Sequence, residues 1–506
     1  MNRKKKLLLN TITSLLFQVT TVICGFILPR LILKHYGSEV NGIISSITQF
    51  LALISFLDLG VGSVVQSSLY KPLALKDEIQ ISEVITSAGK FFNKIAIALS
   101  IYIVFLFCVF PFISHSAFDW KYIDVLIAVI CISTFSQYYF GVVDRLLLNA
   151  DQRGYIQYTA QIATLIINTL TCYIMIENGF SIHIVKLSTS LIYLLRPVFI
   201  RLYVNRHYKI NRKSKYDVEP IKQKWNGMSQ HLASVVLDNT DTVVLTVFST
   251  PINVSIYSVY HMIVYGVKQL FLSLTTGIQA LIGEMWAKQE LDQLKSFFGR
   301  VEWLIHTGTV FVFGCMGLLI IPFVKLYTID VNDADYIQVV FSVLIVLANA
   351  VHCFRLPYNI MILAGGHYKQ TQHNYIIAAV LNLLVSIISV SAWGLVGVAI
   401  GTLVAMLYQT VWMAIYVSRN LVRWPFFNFI KQFVVDVITI LLIFIIGFYV
   451  GFEANNYLIL LYQAFKCALI LLVSIFIINV FFYFHQIKHV FVEIKSIIHK
   501  LGKTRS

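Results

Sequence analysis

Nine lysines and arginines stand in or beside stretches that are otherwise apolar: Arg30, Lys34, Lys121, Lys186, Arg196, Lys268, Lys325, Arg355 and Lys466. A cation facing lipid at mid-depth costs about 2.5–3.5 kcal/mol, so such residues turn toward protein or a watery cavity. Arginine suits a phosphate because its planar fork donates two parallel hydrogen bonds. Arg30, Arg196 and Arg355 are therefore the first candidates for an anion site, with Lys268 next, Lys34 at the outer mouth, and Arg145 at the inner end of the fourth span beside Asp144. The bland readings stand beside these. Arg196, followed by Pro197, has the length to snorkel to the surface, and Arg145 has Asp144 as its neighbour.

Acids are fewer in or near the apolar runs: Asp58, Asp144, Asp238, Asp241 and Glu284. In LDNTDT, Asp238 and Asp241 are three apart and share a helix face, with Asn382 a further oxygen donor. Asp58, Asp238, Asp241 and Asn382 are the candidates for binding Na⁺ or carrying a proton, and the alternative for them is pairing with Lys268 or Arg30. No arrangement suits covalent catalysis or a resident metal, and no cofactor is expected beyond such a coupling ion. GSEVNGII begins like a phosphate-binding loop but has Ile43 and Ile44 where Lys and Ser/Thr are required. The scattered histidines lack metal spacing, and His306 and His352 read as helix contacts. The seven cysteines, odd in number and with no CxxC pair, read as small buried hydrophobes.

The elements that must position these groups follow from composition. The 506 residues are 58% hydrophobic and 12% charged, against about 25% charged for a soluble chain. The fold class is all-α and polytopic, with fourteen expected spans: 7–33, 40–66, 91–113, 122–143, 157–176, 182–200, 230–249, 254–283, 303–325, 336–360, 374–391, 394–417, 433–451 and 457–484. MNRKKK and the apolar run after it read as a retained first span, because the run is too long for a signal peptide. With both termini in the cytoplasm, the cytoplasmic segments hold 30 of the 39 Lys and Arg, as the positive-inside rule requires. The net charge of +15 is then mostly topology, and no nucleic acid is needed as a partner.

The longest basic connection inside the body begins at Arg201, and on either side of it the chain repeats weakly. VNGIISSI (40–47) falls on NVSIYSVY (253–260) at an offset of 213, and YVNR (203–206) on YVSR (416–419) at the same offset. ADQRGYIQYTAQIATLIIN (150–168) falls on AGGHYKQTQHNYIIAAVLN (364–382) at 214. The expected organisation is a six-span lobe (1–200), a cytoplasmic linker (201–229), a second six-span lobe (230–417), and an added pair of spans with a basic tail (418–506). Parallel repeats of this kind enclose a site near the membrane midplane.

KHYGSEVNGIISSITQFLALISFLDLGVG (34–62) with SSLYKPLALKD (67–77) resembles the polysaccharide-unit flippases, the Wzx-type O-antigen transporters. These belong with the MATE drug exporters and the peptidoglycan-precursor flippases in the MOP superfamily. DTVVLTVFSTPINVSIYSVY (241–260) and the region of MILAGGHYKQTQ (361–372) add to the likeness, which covers roughly residues 7 to 430 in layout. The resemblance implies two six-helix, MATE-like lobes around a cationic cavity and alternating access. It implies a polyprenyl-diphosphate-linked oligosaccharide as substrate, surface polysaccharide as the product served, and a bacterial inner-membrane location. A polysaccharide polymerase and a chain-length regulator are the implied partners. In the peptidoglycan-precursor flippases Gly-Phe is followed by an Arg-Asp pair, whereas here Gly25-Phe26 is followed by Ile27-Leu28-Pro29 and then Arg30. On this reading Pro29 bends a gating helix and Arg30 meets a phosphate. A cation-coupled exporter of small molecules and a lipid II flippase remain the alternatives.

Overall fold

The computed structural model describes residues 3–53, 56–217, 219–221 and 228–503; within these, the side chains of 56–60, 228–234, 238 and 485–503, among others, lie outside the description. All regular structure in the described residues is helical. In chain order the helices are α1 (Arg3–Leu53), α2 (Phe56–Leu75), α3 (Glu78–Ile113), α4 (Trp120–Ser136), a π-turn (Gln137–Gly141), α5 (Val142–Ala150), α6 (Gly154–Glu177) and α7 (Ile182–His207). They continue with α8 (Met228–Phe248), α9 (Pro251–Ala287), α10 (Leu291–Tyr327), α11 (Val339–Phe354), α12 (Leu356–Ala364), α13 (Tyr368–Trp393), α14 (Leu395–Asn420), α15 (Phe426–Val450) and α16 (Tyr457–Lys503).

Twelve helical stretches among the described residues are long and apolar enough to cross a membrane. The difference from fourteen has two sources. The expected first span and the start of the second fall in α1, a single stretch with one backbone break, while α2, which carries the later part of the second, and α8, the expected seventh, are not among the twelve. The break is at Gly37, whose φ of 85° favours glycine. Pro29 lies inside helix, so the departure from helical backbone comes eight residues later than the bend expected at Pro29. The loop after α10 supports the restart. Asp333 accepts from the Ser38 backbone N–H and from Ser38 Oγ, both at 2.6 Å. A carboxylate there satisfies amide donors that the first turn of a helix leaves open.

The chain forms two compact units. The first comprises Met1–Met262, Asp330–Asp335 and Leu383–Val398; the second comprises Ile263–Ile329, Tyr336–Asn382 and Ala399–Ser506. Helix α8 and the first turns of α9 thus pack within the first unit. Its core gathers Ile47, Leu99, Phe110, Leu147 and Val185 from helices far apart in sequence. The pair of segments matched by the sequence repeat, 40–47 and 253–260, meet there. Asn41 Nδ2 donates to Ser255 Oγ at 2.8 Å and to Ser258 Oγ at 3.2 Å, and Gly42 lies against the Pro251 carbonyl. In the second unit, α15 and α16 pack on α10 through Val435, Ile478, Tyr483 and Trp303. Long apolar side chains such as Ile101, Phe105, Leu441, Leu461 and Phe465 stay exposed on the helix surfaces, as lipid-facing residues of a membrane bundle do. Five of the seven cysteines are buried and all are free thiols, while Cys108 is exposed.

Candidate functional site

The second unit brings two of the expected cations together. Helix α11 gives way to α12 at Arg355, because Pro357 lacks the N–H that would continue the helical ladder and restricts the residue before it. Arg355 at this junction is 6% exposed, and its Nη2 lies 3.3 Å from both ring nitrogens of His352, one turn earlier. Lys268 on α9 is equally buried, its Nζ 5.2 Å from the Tyr265 ring centroid. The charges of Lys268 and Arg355 both act on His352 and on Cys353. Two basic side chains and an imidazole thus share one buried neighbourhood. The sequence pointed to Lys268 and Arg355; His352, read as a helix contact, is part of the same cluster.

The other candidates lie elsewhere. Arg30 is half-buried in the first unit, 3.8 Å from Asp330, and Lys34 is exposed. Arg196 does not snorkel. Its Nε donates to Thr164 Oγ1 on α6 at 2.5 Å and its guanidinium stacks over Tyr193 at 3.9 Å. Asp144 is completely buried and holds Arg212 at 2.7 Å and Arg201 at 3.2 Å, while Arg145 beside it is half-buried. Asp241 is buried and accepts from the Tyr257 hydroxyl at 3.0 Å. Asn382 is fully buried in the second unit. The side chains of Asp58 and Asp238 lie outside the described residues. Glu284 is exposed and pairs with Lys288, one turn along, at 2.5 Å.

A second polar network was not anticipated. Glu302 and His306 stand one turn apart on α10 and face Gln432 and Asp436, one turn apart on α15. His306 Nδ1 is 2.6 Å from Asp436 Oδ2, and Gln432 Nε2 donates to Asp436 Oδ1 at 2.9 Å. The hydroxyl of Tyr358 and, at 2.7 Å, the indole N–H of Trp424 donate to Glu302. All of these except Trp424 are buried, and His306 stacks on Phe354. The expectation counted Glu302 into a water-facing segment and omitted Asp436. The i, i+4 spacing of polar residues within each apolar run was the available signal.

No family model and no curated relative matches the chain. Solved structures do. The chain is similar to a lipid II flippase, MurJ, in an inward closed conformation, with a TM-score of 0.68 at 14% identity over 95% of this chain and all of the other. It is also similar to an inward-facing multidrug-resistance MATE transporter of the MOP superfamily (TM-score 0.60, 14% identity, 80% of this chain and 98% of the other). A eukaryotic MATE transporter gives a TM-score of 0.56 at 12% identity over 82% and 96% of the two chains. These likenesses show the fold that the chain shares with these solved structures. The similarity to the flippase extends over more of this chain than either MATE similarity does.

Proposed function

We propose that this chain is a flippase that moves polyprenyl-diphosphate-linked oligosaccharide units from the cytoplasmic to the outer leaflet by alternating access, serving surface polysaccharide synthesis. The observation that carries the reading is the buried Lys268–His352–Arg355 cluster in a MOP-type fold. A diphosphate is the lipid-linked anion such a cluster suits, with the arginine fork taking two oxygens and the lysine a third. Similarity to a lipid II flippase over 95% of this chain, against 80% for a drug exporter, supports a lipid-linked substrate over small solutes. Both termini are assigned to the cytoplasm and the protein to a bacterial inner membrane. Coupling to Na⁺, H⁺ or membrane potential would use charged groups of the kind seen at Asp241.

The test is deletion and complementation at matched protein levels. Loss of surface polysaccharide, lipid-linked units held in the cytoplasmic leaflet, rescue by wild type, weak rescue by Arg355→Lys and none by Arg355→Ala are the expected results. Unchanged polysaccharide in the deletion strain, with no second transporter present, overturns the reading. Lysis with accumulated peptidoglycan precursor would instead assign lipid II, and drug sensitivity alone would assign an exporter.

A further inference from the structure

In the first unit a cavity of about 750 Å³ opens among α3, the π-turn, α7 and the segment that follows α7. Five cations line it: Lys90, Arg201, Arg212, Lys213 and Lys215, with Asp217 the carboxylate among its lining residues. Counting Asp144 beneath the two arginines, the formal excess is three positive charges. A basic surface is ordinary on one side of a membrane protein. This one is concave and built. Arg201 and Arg212 are aimed by a single buried carboxylate, Asp144, through bonds of 3.2 and 2.7 Å. The segment carrying Lys213 and Lys215 is fixed to α3, since the Asn211 N–H donates to Ser82 Oγ at 3.0 Å and Thr86 Oγ1 donates to the Asn211 carbonyl at 3.2 Å. Lys90 is held over the Tyr216 ring at 4.5 Å. The wall includes the π-turn, a geometry that recurs at functional sites, which presents Tyr139 and Phe140.

We propose that this cavity binds a phosphate ester, independently of what the transporter carries. The volume is within the range of small-molecule sites, and the charge excess, the two carboxylate-aimed guanidiniums and the adjacent aromatic surface suit a phosphate with an organic remainder. That chemistry has two sources, an anionic lipid headgroup and a soluble phosphate compound.

The experiment uses the full chain in neutral detergent. One arm titrates inorganic pyrophosphate by calorimetry. The other counts phosphatidylglycerol retained in native mass spectrometry against phosphatidylcholine. Each is repeated with Lys90→Gln/Lys213→Gln/Lys215→Gln, all exposed positions, and with a control triple that removes the same charge elsewhere, Lys295→Gln/Lys369→Gln/Arg419→Gln. Saturable binding of either probe, weakened tenfold or more by the cavity triple and unchanged in the control, is the expected result, and the responding arm names the source. Absence of saturable binding in both arms, or equal weakening in both triples, overturns the proposal.

Discussion

Replacing Gly42 by alanine tests whether the meeting of the repeat-related segments is as close as the structure has it. A Cβ on Gly42 would lie 1.8 Å from the Pro251 carbonyl oxygen and 2.5 Å from its carbon. Ordinary contact needs about 3.4 Å, so the helices must part by roughly 1.5 Å. The obstacle is backbone and has no rotamer to give. Overpacking of this kind costs about 1–3 kcal/mol, and here the upper end applies. Parting the helices also strains the buried Asn41–Ser255 bond, 2.8 Å long, which contributes about 1 kcal/mol. Against this, alanine is favoured over glycine inside a helix by about 1 kcal/mol. The net expectation is destabilisation by about 2–3 kcal/mol, or roughly 30- to 150-fold in the folding equilibrium. Gly25, also inside α1, has nothing within 4 Å of its would-be Cβ, so Gly25→Ala should be neutral or stabilising by about 0.5–1 kcal/mol. Reversible unfolding in mixed micelles, followed by circular dichroism, measures both. A Gly42→Ala protein as stable as the wild type, or the two variants shifting alike, refutes the close approach.

Asp144→Ala should destabilise by about 2–3 kcal/mol: a buried pair broken on one side costs more, but Arg201 and Arg212 retain partial access to water, so the figure is discounted. A double-mutant cycle with Arg212→Ala should recover about 1–2 kcal/mol of coupling, and strict additivity would contradict the pairing. Asp436→Ala should cost about 2–4 kcal/mol because it strands both His306 and Gln432 in a buried site, while Asp436→Asn keeps an acceptor for Gln432 and should cost less; equal losses in the same unfolding assay would contradict that network. Tyr208, at the end of α7, is held above the ordinary tyrosine value of 10.0 by burial and then by its bond to Asp151. The unfolded chain then releases this proton first, so its contribution to stability is intact below about pH 10 and declines above it. Melting temperatures of wild type and Tyr208→Phe between about pH 8 and 11 should converge at the alkaline end, and a constant gap would contradict the assignment.

What was legible in the sequence is what depends on runs and local turns. The apolar stretches define the helices, and the gap between the expected spans 7–33 and 40–66 holds the break at Gly37. Lys268 and Arg355 were legible because a cation interrupts an apolar run. Asp436 was not, since one carboxylate in α15 hardly lowers the hydropathy of its surroundings. Glu302 was not singled out because its segment also carries water-facing residues. The partners of Asp144 lie 57 and 68 residues away, and only tertiary structure chooses them over adjacent Arg145. Arg196 illustrates the same limit: a long side chain near a helix end reads as one that reaches for the surface, yet packing against Tyr193 and Thr164 decides its direction.

The charged groups therefore fall into two kinds. Asp144 and Glu302 are each tied by two contacts to groups on other segments, and Asp436 by one to α10 and one within α15, so each helps to fix one arrangement of helices. A buried group so committed resists motion, because separating it exposes every partner to an unsatisfied interior. The Lys268–His352–Arg355 cluster differs in character. It stands where Pro357 breaks the helix. On the function proposed above, an anion held there would bind at the junction of two helices.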